Sequence, residues 1–238
     1  MLPVMTLFLG CLLVQAQDEK PAPLKYMRPD GDKYVLESEI TVTPGKRGWT
    51  YSSTTHRTTG DGDLTMQLTI QLDAENTIQS AEAVLTTPKE TKKATLTLFK
   101  DHARLKRGGT MEILQRMPAA PIVTTAPDWS DIMQLIKRYD AKKGGKQEFG
   151  GIWFHPVEQT LTPTFTIDCT GVDNITVKDK DTQEEKELRL HCYDIQLRSG
   201  GYRAWSNDEG HIVRIVPRGT NSSPIVLEGY EELTRKLK

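Results

Sequence analysis

The side chains that could do chemistry are few and scattered. Five histidines stand at positions 56, 102, 155, 191 and 211, and none has the spacing of a metal or catalytic set. No H-E-x-x-H, C-x-x-C, G-x-S-x-G or G-x-x-x-x-G-K run occurs, so zinc-protease, thiol-redox, serine-hydrolase and P-loop chemistry lack their signatures. Gly60-Asp61-Gly62 opens like a dinucleotide loop, but a strand-type run follows where a helix is required. His191 and Cys192 are neighbours on a predicted strand and point to opposite faces, so they do not converge on one ion. The acid pairs Asp30/Asp32, Asp61/Asp63 and Asp179/Asp181 fall in turns, where Asp bonds its own backbone. Asp179 to Glu185 also lacks the glycine and bidentate acid of a calcium loop. The reading is a chain that is not an enzyme, with no metal and no cofactor. A hydrolase is the weakest alternative, because no nucleophile and base can be paired.

Three cysteines are present, and the first marks a leader. Residues 1–16 carry no charge and precede Gln17-Asp18-Glu19-Lys20, the pattern of a secretory signal too short to span a bilayer. Val14-Gln15-Ala16 supplies small residues for cleavage after Ala16, although the usual positive start is missing. The rival reading is lipidation at Cys11, which follows Gly10; Leu12-Leu13-Val14 after it departs from the polar tether such a signal needs. Either way the chain is expected to be exported, periplasmic or extracellular, with no transmembrane segment after leader removal. Cys169 and Cys192 then form an even pair in an oxidising compartment. If residues 165–169 and 188–192 pair as a hairpin, Cys169 faces Cys192 and a disulfide is expected; two buried free thiols are the alternative.

Lys100, Arg104, Lys106 and Arg107 make the one basic cluster, read first as a solvated face and secondly as a contact for lipid headgroups or an acidic partner. The whole chain of 238 residues balances 31 Lys and Arg against 32 Asp and Glu, so no field points to nucleic acid.

These residues must be positioned by strands. Leu64, Met66, Leu68, Ile70 and Leu72 alternate with Thr65, Gln67, Thr69 and Gln71, which gives one dry and one wet face. The same period runs through Tyr34 to Val42 and Ala94 to Leu98, and more loosely through Trp49 to Thr55, Ile78 to Leu85 and Met111, Ile113 and Met117. Further strands are expected near 148–155, 162–171, 187–198, 201–206, 211–216 and 224–227. Tyr193, Ile195 and Leu197 are out of phase with Leu188 and Leu190, which predicts a bulge near Cys192 or burial of both faces. Trp129, Ile132, Met133, Ile136 and Tyr139 recur at helical spacing behind Asp128 as N-cap, and Lys142-Lys143-Gly144 closes the segment, so a helix is expected over 129–141. A short C-terminal helix is expected over 228–237. Residues 17–33, with Pro21, Pro23 and Pro29, read as a polar tether, and 34–238 as a single β-rich domain. The fold class is mainly β (α+β): a large curved antiparallel sheet or half-barrel of about ten strands packed on one central helix.

Two patches carry a family resemblance. Leu197-Arg198-Ser199-Gly200-Gly201-Tyr202-Arg203-Ala204-Trp205, the acidic turn to Gly210 and His211-Ile212-Val213-Arg214 resemble the late hairpin of bacterial envelope half-barrel proteins, the LolA/LolB-like lipoprotein-carrier families and their periplasmic relatives. Tyr139-Asp140 through Gly144-Gly145 to Phe149 is similar to the helix-to-sheet junction in some of them. The resemblance implies a curved sheet wrapped over a helix, with a concave face that holds acyl chains in the carriers. The expected function is therefore binding of a lipid-like or apolar ligand between sheet and helix, with Trp129 and Met133 on the helix and Leu68 and Ile70 on the sheet as its lining. The alternative is an interaction module accessory to an envelope assembly or secreted enzyme, with an envelope protein as partner and no small-molecule ligand.

Overall fold

The computed structural model describes residues 21–45, 48–60, 62–125, 129–178, 184–198, 200–219 and 223–236. The expected leader with Cys11, and the expected cap Asp128, lie outside these residues. The first half is a meander of β1 (Leu24–Asp30), β2 (Lys33–Gly45), β3 (Gly48–Thr59), β4 (Gly62–Asp73), β5 (Ile78–Thr86), β6 (Thr91–Leu98), β7 (Ala103–Arg107) and β8 (Thr110–Leu114). Then come β9 (Ile122–Thr124), α1 (Ser130–Arg138), β10 (Gln147–Trp153), β11 (Thr164–Lys178), β12 (Glu185–Leu197), β13 (Gly200–Ser206), β14 (Ile212–Pro217), β15 (Ile225–Leu227) and α2 (Leu233–Lys236). All fifteen strands share one sheet, ordered β8-β7-β6-β5-β4-β3-β2-β1-β15-β14-β13-β12-β11-β10-β9. Every pairing is antiparallel except β9 with β10, and there the chain uses α1 as the crossover that a parallel pair requires.

The chain path forces the sheet to curl. Laid flat, fifteen strands at about 4.8 Å spacing would put the edge strands β8 and β9 roughly 67 Å apart. Yet only residues 115–121 join them, and eight steps of extended chain reach no more than about 29 Å. The two edges are therefore drawn together into an open half-barrel. Arg107 on β7 reaches across the seam, its Nη2 donating to Thr160 Oγ1 at 2.9 Å.

The alternating runs behave as their periodicity predicts. Met66, Leu68 and Ile70 are buried on the inner face, whereas of the alternating polar residues Gln67 and Gln71 are exposed and Thr69 is half-buried. The sheet nevertheless has fifteen strands where about ten are expected. Three of the additional ones are β1, β7 and β9, whose signals are weak for different reasons. β7, Ala-Arg-Leu-Lys-Arg, has only two inward residues among three cations; β9 is three residues long, too short for a period. β1 overturns the tether reading over Leu24 to Asp30, while residues 17–20 lie outside the described residues. Its prolines mark ends and edges, and Tyr26 between them is fully buried, paired with Ser38 on one side and Leu227 on the other.

The cysteine pairing is also corrected. Cys169 stands opposite Tyr193, the register then slips at Thr170, and Gly171 stands opposite Cys192. Partners across a ladder share a face and neighbours along a strand do not, so the two thiols point to opposite sides of the sheet and both are free. The slip lies on β11 opposite Cys192, and the change of phase within β12 is the other expectation, burial of both faces. Leu188, Leu190 and Cys192 are buried on one face, Tyr193, Ile195 and Leu197 on the other. On the Cys192 face Trp205 donates to Asp173 Oδ2 at 2.8 Å and stacks under the guanidinium of Arg214, whose pKa burial brings down to about 10.

Candidate functional site

α1 is built as a plug. It spans 130–138 rather than 129–141, and Trp129 and Tyr139 are its caps. Gly144 and Gly145, both at φ 61°, turn the chain back toward β10, a backbone conformation that favours glycine. Gln134 fastens the helix to the sheet edge: its amide accepts from Val123 N at 3.2 Å and donates to Val123 O at 2.8 Å, so it supplies β9 with the partner a further strand would give. A nine-residue helix is only about 13.5 Å long. Even so, Met133 Sδ accepts from Tyr51 Oη of β3 (2.8 Å) and Tyr26 Oη of β1 (3.9 Å), while Trp129 meets Tyr202 of β13 and Tyr139 meets Tyr193 of β12 edge-on. Strands far apart in the sheet order thus touch one helix, which lies on the concave side.

The plug leaves a cavity of about 460 Å³ beside its C-terminal half, lined by Val42, Trp49, Tyr51, Ile70, Leu72 and Met133, with Asn76, Gln134, Lys137 and Arg138 completing the wall. Trp49 is 42% exposed, so an aromatic ring stands in water at its mouth. Among the described residues no acidic side chain lines it, and two cations do. Arg138 donates to the Ala120 carbonyl, whereas desolvation holds the Lys137 amine below its ordinary pKa.

A second cavity, of about 710 Å³, lies beside Trp129 and is polar, lined by Arg28, Glu37, Arg57, Tyr202 and Arg218 among others. Glu37 is 7% exposed and meets Arg28 Nε at 3.1 Å. Burial raises its pKa above the usual carboxylate range, and Arg57 and Arg28 offset this only in part. The indole Nε1 of Trp129 is buried without a hydrogen-bond partner among the described residues.

The raised Glu37 pKa has a direct consequence for stability. The folded chain keeps a proton that the unfolded chain has already released, so stability falls as pH rises from the ordinary glutamate value through the raised one. Glu37→Gln removes that cost, and Arg28, about half exposed, can be hydrated in its place. Thermal melts should show the variant more stable than the parent at about pH 7, with the difference gone near about pH 4, where both side chains are neutral. A difference independent of pH would refute this account.

The four expected lining residues divide. Ile70 and Met133 meet in the apolar cavity, Trp129 lines the polar one, and Leu68 is completely buried core that lines neither. Sequence reasoning missed Val42, Trp49, Tyr51 and Leu72. Their signal was register: Trp49 stands opposite Leu72, and Tyr51 pairs with Val42 on one side and Ile70 on the other, which places them on the same face.

The histidines are dispersed, and His56 lines the polar cavity. The His155 ring stacks on Trp153, its Nδ1 accepts from Val157 N and Glu158 N at 3.2 Å each, and desolvation lowers its pKa, which favours the neutral ring. His102 sits beside Asp101, while His191 on β12 and His211 just before β14 sit beside Asp208 and Glu209, adjacent residues of the β13–β14 turn. Among the described residues no group of three or more His, Cys, Asp or Glu gathers as a metal site would require, and no helix is long and apolar enough to cross a membrane. The basic cluster is split by the strand. Arg104 and Lys106 point outward, while Arg107 spans the seam.

No family model matches the chain, and no curated protein does. Among solved structures it is similar to the crystal structure of a DUF1089 family protein from Pseudomonas aeruginosa, at 10% identity and a TM-score of 0.50, over 80% of this chain and 94% of that one. A likeness at that identity is one of fold alone, a β-rich fold built on a large sheet.

Proposed function

We propose that this chain is an exported, non-enzymatic binding protein that holds a lipid-like or apolar ligand between α1 and the concave face of the sheet. The observation that carries the reading is the apolar cavity under Met133, whose 460 Å³ falls in the size range of small-molecule sites. The leader-like residues 1–16 support export, and the resemblance to lipoprotein carriers supports a concave face used for acyl chains. The charge at the mouth selects the polar end of the ligand. With Lys137 and Arg138 there and no acid in the wall, an amphiphile with an anionic head fits, its tail against Tyr51, Ile70 and Met133.

The test is a titration of tryptophan fluorescence with dodecanoate, dodecanol and dodecylammonium, beside native mass spectrometry of the protein from an envelope fraction. Dodecanoate should bind most tightly, and Lys137→Glu should weaken it about tenfold, the equivalent of ~1.4 kcal/mol, with little change for dodecanol. Equal affinity for all three heads would leave the cleft and remove the anionic preference. No binding of any of them, with a clean apoprotein mass, would overturn the reading in favour of an interaction module.

A further inference from the structure

We propose that the outer face of β6, β7 and β8 docks on an anionic lipid surface. Alternation along β8 reads as burial of Met111 and Ile113, yet both stand in water, 57% and 51% exposed. The ladder explains why. Ala103 and Leu105 of β7 are buried on the concave side, so Arg104 and Lys106 between them face out; Ile113 pairs with Arg104 and Met111 with Lys106, and partners share a face. Phe99, 40% exposed, continues the patch beyond β6, packed on His102 and under the Arg104 guanidinium at 4.8 Å.

Three of the six large hydrophobic side chains that stand exposed among the described residues therefore gather on adjacent strands at one edge of the sheet, interleaved with cations. Lys100 adds another cation at the tip, while the neighbouring Asp101 is engaged by His102. Apolar side chains that insert and cations that meet headgroups are the two halves of interfacial membrane binding. A second copy fits less well, because a two-fold contact would press Arg104 and Lys106 against their own kind. An acidic protein would satisfy the cations but would not account for a methionine and an isoleucine held in water.

The experiment is co-sedimentation of the full chain with vesicles of phosphatidylcholine alone or mixed equally with phosphatidylglycerol, at low and high salt. Binding to the anionic vesicles should exceed binding to the neutral ones by at least tenfold and fall as salt rises. The doubles Met111→Asp with Ile113→Asp, and Arg104→Glu with Lys106→Glu, should each abolish it. Val172→Asp, at an exposed apolar site on β11 outside this patch, should not. Thermal melts of each variant separate loss of docking from loss of fold, and single substitutions replace any double that melts early. Indifference to lipid charge, retained binding by both doubles, or no binding would overturn the proposal. So would association with polyglutamate but not vesicles, or a solution dimer dispersed by Met111→Asp.

Discussion

A chain that begins at Tyr34 is expected not to fold, whereas one that begins at Pro21 is expected to unfold cooperatively like the full chain. β1 lies in the middle of the sheet order, hydrogen-bonded to β2 along its length and to β15 at Tyr26 and Met27. Removing it would leave two interior strands facing a gap and would empty the core of Tyr26, which is completely buried and donates to Ile212 O at 3.2 Å. Losing an aromatic side chain of this kind costs about 3–5 kcal/mol on its own, against a total stability of roughly 5–15 kcal/mol for a domain. Graded substitutions give the finer test. Tyr26→Ala should cost those several kcal/mol in urea denaturation, and Tyr26→Phe, which forfeits one hydrogen bond, about 1 kcal/mol. An unchanged urea midpoint for the chain starting at Tyr34 would return residues 24–33 to the status of a tether.

Filling the cleft should abolish ligand binding without unfolding the protein. Val42 is only partly buried and lines the apolar cavity from the sheet side, so Val42→Trp has open space to enter. An indole there would exclude about four methylenes of a bound chain, worth roughly 0.8 kcal/mol each, or more than a hundredfold in affinity. Dodecanoate titration should show that loss, with a melting temperature close to the parent's. If Val42→Trp bound dodecanoate as well as the parent does, the ligand would lie elsewhere, and the polar cavity beside Trp129 would be the next place to look.

The parts of this architecture visible in sequence are those written in period two or 3.6 over long runs. β4 is clear because Leu64 to Leu72 bury one face only, and α1 because its apolar residues recur at helical spacing even though Trp129 to Met133 are all buried. β1 was hidden by prolines that punctuate without excluding a strand, and β9 by its brevity. The cysteines show a subtler limit. Alternation places Cys169 and Cys192 on strands but does not reveal the slip at Thr170, which only the ladder sets, and one residue of slip carries a side chain to the other face. Met111 and Ile113 fail for the opposite reason: their pattern is that of a buried strand, and the pairing with Arg104 and Lys106 turns it outward. Two of the six apolar lining residues of the candidate site were legible. Met133 and Ile70 lie where apolar periodicity suggests, while Val42, Trp49, Tyr51 and Leu72 join them through strand register.

The pairing of β1 with β15 also bears on how the chain reaches this state. Nearly every other ladder joins strands that follow one another, so hairpins from β2 to β8 and from β10 to β14 can form from local contacts as the chain emerges. Tyr26 and Leu227, by contrast, lie about two hundred residues apart in sequence, and theirs is the largest single loop closure among the ladders. The two halves are thus free to take shape early, but the half-barrel cannot be sealed until the last strand is available. The slow step of folding is then the meeting of the first strand with the last.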